Sequence, residues 1–209
     1  DFAAKLMPDL DPDFRLNVLK QCCNYENEYI ASVGGTLYPK LVETLEALSC
    51  RYPLFIVSNC QAGYIEAFFE AHHTGKFFKD YENPGRSGFA KARNIQLIAE
   101  RNHLKHPVYV GDTIGDYNAC QEAGVPFVFA AYGFGEVPEK KCVAIAEKFE
   151  DLVHIFEEMG NLVEEKGLDK KILNDSQTRL IAILMGMIVR MKKREGFQSK
   201  NNQEHEMKK

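Results

Sequence analysis

Between Val108 and Val125 an apolar run, an acidic loop and a helix follow one another without a gap. Val108, Tyr109 and Val110 are β-prone, and Gly111-Asp112 ends the run. Asp112 and Asp116 stand four residues apart in a Gly-containing loop, and Asp116 is placed to cap a helix through Ala123. Gly124 stops that helix, and Val125-Pro126 cannot continue it. Two carboxylates therefore sit at the C-terminal mouth of a strand, where open α/β sheets bind ligands. Carboxylates gathered with waters and phosphate oxygens suit Mg²⁺. Alone, the same spacing fits a solvated loop with one helix cap.

Three further stretches decide between these readings. Leu54 to Val57 form a continuous apolar run of strand length, ending on Ser58-Asn59 ahead of a helix over about 62–71. Such a run fits a parallel strand covered on both faces. A hydroxyl and backbone N–H groups just before a helix N-terminus form a phosphate cradle. Lys91 falls in the first turn of a helix reaching Arg101, where the helix dipole gives a cation no help, so an anionic partner is expected. Phe127 to Ala131 read as another buried strand, followed by the loop Tyr132-Gly133-Phe134-Gly135. Residues 139–159 read as one or two closing helices. With a short strand near 78–81 and a helix over 39–50, strands and helices alternate from 39 to 159, the pattern of a parallel α/β sheet.

The 209 residues, 45% hydrophobic and 27% charged, bound the chain to one ordinary globular domain with at most an appendage. A sequence pI near 5.9 argues against general nucleic-acid binding. The longest apolar run, Leu180 to Val189, lies between Arg179 and Arg190. It is shorter than the ~20 residues a membrane span needs. The six cysteines show no C-x-x-C pair or zinc spacing, which fits reduced thiols in a cytoplasm.

At the N-terminal end, Asp11-Pro12-Asp13 marks the start of a helix that runs to Val33 and stops at Gly34-Gly35. Phe14, Val18, Cys22, Tyr25 and Tyr29 recur every three or four residues along it. Residues 161–209 carry eleven basic and seven acidic side chains, net +4, against fifteen and twenty-three, net −8, before them. Asn174-Asp175-Ser176 predicts a cap for a helix over 177–194, whose apolar middle must be buried against something. Its expected roles are packing on the domain or self-association; a membrane-surface helix fits less well, because the polar face is thin. From Lys192 the polar sequence predicts disorder.

Four stretches in this order resemble the haloacid dehalogenase superfamily of phosphatases: Ile56-Val57-Ser58-Asn59, Lys91 before its helix, Gly111-Asp112-Thr113-Ile114-Gly115-Asp116, and Phe127–Ala131 with its glycine loop. The resemblance covers about residues 12–159 and is closest to the small-capped, phosphoglycolate-phosphatase-like subgroup. It implies a Rossmann-like parallel sheet flanked by helices (38–159), a partial helical cap (1–37) and a C-terminal helical extension (160–209). It also implies a Mg²⁺-dependent hydrolase of small phosphomonoesters. Ser58 and the Asn59 N–H would bind the phosphoryl group, and Lys91 would offset the clustered negative charge. Asp112 would ligate Mg²⁺ directly and Asp116 would hold it through water, while Gly133 and Gly135 would shape the site.

The sequence departs from this pattern in one respect. The family's nucleophile lies in a first motif, an apolar strand ending Asp-x-Asp ahead of the cap. Asp9-Leu10-Asp11 has that spacing, but Lys5-Leu6-Met7-Pro8 is no buried strand, so these acids read as the approach to a helix. The chain reads as beginning inside the cap, and two expectations follow. Covalent catalysis is lost and activity is impaired. The sheet also lacks its middle strand, between 54–57 and 108–110, leaving two edges that pair with each other, stay bare or accept another chain, and bare edges favour association. A non-catalytic relative acting in protein association is the alternative function. A receiver-like or nucleotide-binding module fits less well, because no Gly-rich phosphate fingerprint opens a helix.

Overall fold

The computed structural model describes residues 2–165, 181–185 and 189–190. In chain order the elements are α1 (Phe2–Leu6), α2 (Pro12–Val33), β1 (Thr36–Leu37), α3 (Leu41–Arg51), β2 (Leu54–Val57) and α4 (Tyr64–His72). They continue with β3 (Phe78–Glu82), α5 (Pro84–Ser87), α6 (Lys91–Arg101), β4 (His106–Gly111), α7 (Ile114–Ala123) and β5 (Phe127–Ala130). The last are β6 (Ala144–Ala146), α8 (Asp151–Glu165), β7 (Ile181–Met185) and β8 (Val189–Arg190).

The six-stranded sheet has the order β3-β2-β7-β4-β5-β6, and every neighbouring pair is parallel. Strand periodicity divides its side chains between two covered faces. Leu54, Val108, Val110, Val128 and Ala130 join the core beneath α3 and α8, with Leu41, Leu45, Leu48, Leu152 and Phe156. Phe55, Val57, Tyr109, Phe127 and Phe129 join the other core, with Ile95 and Ile98 of α6 and Ala119 and Cys120 of α7. The Tyr52 hydroxyl donates to the Phe156 carbonyl at 2.9 Å, locking the end of α3 to α8.

The early elements form as the sequence predicts. The Asp11 carboxylate caps α2 by accepting from the Asp13 and Phe14 amides, and Gly34 ends the helix at φ 66°. Asp9 and Asp11 are exposed, at the approach to a helix and far from a strand end.

The C-terminal part differs from expectation. Ile181–Met185, placed by sequence in a helix over 177–194, forms strand β7, parallel to both β2 and β4. Leu54 and Val108 both pair with Ile183, and Ile56 and Val110 both pair with Met185. The interior slot expected to be bare is filled by the chain's own segment. A run apolar on every side suits a sheet centre as well as a buried helix, and the two flanking ladders both engage Ile183–Met185. Val189 and Arg190 pair antiparallel with Leu37 and Thr36, within the same expected helix. The other expected parts of the 177–194 helix, and the polar tail, lie outside the described residues. Ala144–Ala146, assigned by sequence to a closing helix, is the edge strand β6, and α8 begins at Asp151. Short apolar runs carry little information that separates strand from helix.

Candidate active site

The site lies where β2 and β4 end. Beyond β2 come Ser58, buried, and Asn59, exposed. The Ser58 amide donates to the Glu82 carbonyl at 3.2 Å, continuing the β2–β3 ladder to the mouth of the sheet. Beyond β4 come Asp112 and the N-terminus of α7. That helix is capped by Thr113, not by Asp116 as the sequence suggested. Asp116 is the reciprocal member of a capping box: its Oδ2 accepts from the Thr113 amide at 3.1 Å and the Thr113 hydroxyl at 2.8 Å. The Asp116 amide in turn donates to Thr113 Oγ1 at 3.1 Å.

Lys91, the first residue of α6, donates through Nζ to Asp116 Oδ1. This is the anionic partner its position at a helix N-terminus called for. Both side chains are largely buried. Burial alone would raise the Asp116 pKa, but the charge and hydrogen bond of Lys91, with the Thr113 contacts, outweigh it and hold the carboxyl below its ordinary value. Beneath the pair lies Tyr109, fully buried, whose hydroxyl donates to the Val57 carbonyl at 2.8 Å. Tyr109 thus ties the end of β2 to β4 across β7, and the Lys91 ammonium stands 5.8 Å from its ring centre.

The glycine loop closes on the same place. The Phe134 amide donates to Asp112 Oδ2 at 2.8 Å. A Cβ on Gly133 would lie 2.2 Å from the Asp112 Cβ, and one on Gly135 would lie 2.3 Å from the Asp112 carbonyl oxygen. Only glycine lets this backbone approach Asp112 so closely. On the opposite side α2 lies across the loop that follows β2. The Asn27 amide donates to the Ala62 carbonyl at 2.9 Å, and Gln61 Nε2 donates to Glu26 Oε2 at 2.8 Å.

Between these parts is a cavity of about 510 Å³ lined by Ser58, Asn59, Lys91, Asp112 and Asp116, with Glu26, Cys60, Gln61, Tyr64, Thr113 and Phe134 completing its wall. All five residues singled out by sequence meet here. Glu26, Gln61 and Tyr64 were not among them: Glu26 lies on α2, distant in sequence, and Gln61 and Tyr64 follow Ser58 closely but carry no motif of their own. Cys60 is no nucleophile at neutral pH, because burial pushes its thiol up to about 11 against the opposing bond to Ser58.

The donor set suits a divalent cation only in part. Asp112 offers a carboxylate at the strand mouth, but both Asp116 oxygens are engaged. No group of three or more His, Cys, Asp or Glu positioned for a metal occurs among the described residues. β7, which fills the middle of the sheet, brings no acid either: Ile181 to Arg190 contains no Asp or Glu.

Residues 9–130 match the family model of haloacid dehalogenase-like hydrolases. Phosphoglycolate phosphatases of Shigella boydii and Escherichia coli K12 are each 26% identical over 135 residues, covering 60% of this chain and 52% of the relative. The chain thus spans about half the length of these curated relatives. A haloacid dehalogenase-like hydrolase from Streptococcus pneumoniae shares the fold at a TM-score of 0.58 and 20% identity, over 75% of this chain and 76% of that one. The parallel sheet flanked by helices is the fold shared with that hydrolase. The chain belongs to the haloacid dehalogenase-like hydrolase family.

Proposed function

We propose that the cavity binds the phosphoryl group of a small phosphomonoester together with Mg²⁺, and that turnover is feeble. One observation carries this: Ser58, Lys91 and Asp112, from three separate elements, line a single cavity at the C-terminal edge of the sheet. The Ser58 hydroxyl and the Asn59 amide donate to phosphoryl oxygens. The Lys91 ammonium, held by Asp116, balances their charge and steadies the charge that builds as the ester bond breaks. Asp112 would hold Mg²⁺ directly, and Asp116 would hold it through water. When bound, the ion would supply a second positive charge beside the phosphate. Mg²⁺ keeps several waters and leans on substrate phosphate, so two carboxylates support weak, ligand-dependent binding.

The acid-free sequence of β7 favours a second reading, a site that binds phosphate esters and does not turn them over. No covalent aspartyl intermediate forms without a carboxylate at the central strand, and direct attack by water is slow. A role in protein association accompanies that reading. No described helix is long and apolar enough to cross a membrane. The six cysteines are unpaired, which supports work in a reducing cytoplasm.

Titration calorimetry with inorganic phosphate, with and without Mg²⁺, tests the binding, and aryl phosphate hydrolysis tests the turnover. Expected are Mg²⁺-enhanced phosphate binding that Ser58→Ala weakens and Asp112→Asn makes independent of Mg²⁺, with slow hydrolysis. Absence of phosphate binding by the folded chain sinks the proposal. Binding with no hydrolysis at all selects the second reading.

A further inference from the structure

The wall contributed by α2 points to what the ester carries besides phosphate. Glu26 lines the same cavity as Ser58 and Lys91. Its carboxylate accepts a 2.8 Å hydrogen bond from the neutral Gln61 amide, which also donates to Asn27 Oδ1 at 3.3 Å. That amide fixes Glu26 without neutralising it. No described Lys, Arg or His forms an ion pair with Glu26. Lys91 is the one basic side chain among the described lining residues, and Asp116 already engages it. The neighbouring Tyr64 hydroxyl is pushed up to about 12 by burial, then by the Glu26 charge and Cys60, so it stays a neutral donor or acceptor.

We infer that Glu26 selects phosphomonoesters whose alcohol bears an ammonium group and rejects those bearing a carboxylate. The inference rests on the phosphate-binding reading of the same cavity. A phosphoryl group seated at Ser58 and Lys91 directs the rest of the ester towards α2. There an ammonium meets an unpaired carboxylate and the hydroxyl of Tyr64. A carboxylate would meet Glu26 with no further basic side chain among the described lining residues to receive it, and like charges brought together across a partly desolvated gap are strongly disfavoured. The named relatives are phosphoglycolate phosphatases, so this wall predicts a different preference for this chain.

The test is titration calorimetry of the full chain in Mg²⁺ with phosphoethanolamine, phosphoglycolate and inorganic phosphate. The chain should bind phosphoethanolamine about tenfold more tightly than phosphoglycolate. Glu26→Gln should bring the two affinities together, and Glu26→Lys should reverse their order. Both substitutions fall on a half-exposed helix position, and thermal melting confirms that the variants remain folded. Equal affinities in the unaltered chain, or a preference that survives Glu26→Gln, overturns the inference and leaves phosphate binding standing. Silence with all three ligands overturns the phosphate reading and this inference together.

Discussion

The Phe134 amide donates to Asp112 Oδ2 across 22 residues of sequence, at 2.8 Å. This bond makes the loop after β5 a wall of the site. Because a Cβ at Gly133 would fall 2.2 Å from that of Asp112, Gly133→Ala must displace either the loop or the carboxylate. The expected cost is about 1–3 kcal/mol of stability. Mg²⁺-dependent phosphate binding should weaken by roughly tenfold to a hundredfold. Urea unfolding and calorimetry on the same sample check both; unchanged binding would detach the loop from the site.

Lys91 and Asp116 form a buried pair, and its members should not be separable without penalty. Lys91→Met leaves Asp116 charged and largely unsolvated, at an expected cost of about 3–5 kcal/mol. Adding Asp116→Asn removes the stranded charge and keeps an oxygen for Thr113, so much of that stability should return. A double-mutant cycle in urea measures the coupling. Additive losses would show that the pair does not hold the two elements together.

Acid sensitivity should be traceable to Asp80 at the sheet edge. Burial raises its pKa, but hydrogen bonds from Asn102, Arg101 and the Tyr81 amide, with the Arg101 charge, hold it below the ordinary value. Arg101 Nε lies 2.8 Å from Asp80 Oδ2. A depressed native pKa contributes stability that is complete above the unfolded aspartate value, near 3.9. That contribution is lost as pH falls through the native value. Asp80→Asn should therefore be less stable at neutral pH and lose less on acidification, as melting curves at a series of pH values would show.

The position of β7 gives the most direct structural prediction. Flanked on both sides, it pairs with β4 over Ile181–Met185 and with β2 over Ile183–Met185, so its central backbone N–H groups are ladder donors. Ile183→Pro removes one such donor in the middle of the sheet, where proline is tolerated only at edges or bulges. A loss of about 1–3 kcal/mol is expected from the carbonyl left unpaired, with broadened melting and self-association in size-exclusion chromatography. A monodisperse variant with an unchanged melting temperature would place Ile181–Met185 outside the sheet.

What the sequence made legible divides along physical lines. That Ser58, Lys91, Asp112 and Asp116 line one cavity was legible because strand ends and helix starts concentrate polar groups at fixed offsets. β2 and β5 were found because doubly covered strands read as unbroken apolar runs. The role of Thr113 was missed because a capping box has two candidates, Thr113 and Asp116, and spacing alone does not rank them. Glu26 was missed because its place in the cavity depends on α2 crossing the loop after β2, a long-range contact with no local trace. β7 was read as a helix because Ile181–Met185 has no alternation to mark it as a strand, and its slot is defined only by distant partners.

The centre of the sheet is thus the last of its six strands in the order of synthesis. Without residues 181–185, β3-β2 and β4-β5-β6 would be two fragments, with β2 and β4 each left an unpaired edge. Cooperative closure must follow a loop spanning much of the protein, which slows folding and lengthens the interval in which those edges are open to chaperones or to one another. Docking of residues 181–185 is the event that joins β3-β2 to β4-β5-β6 into one sheet.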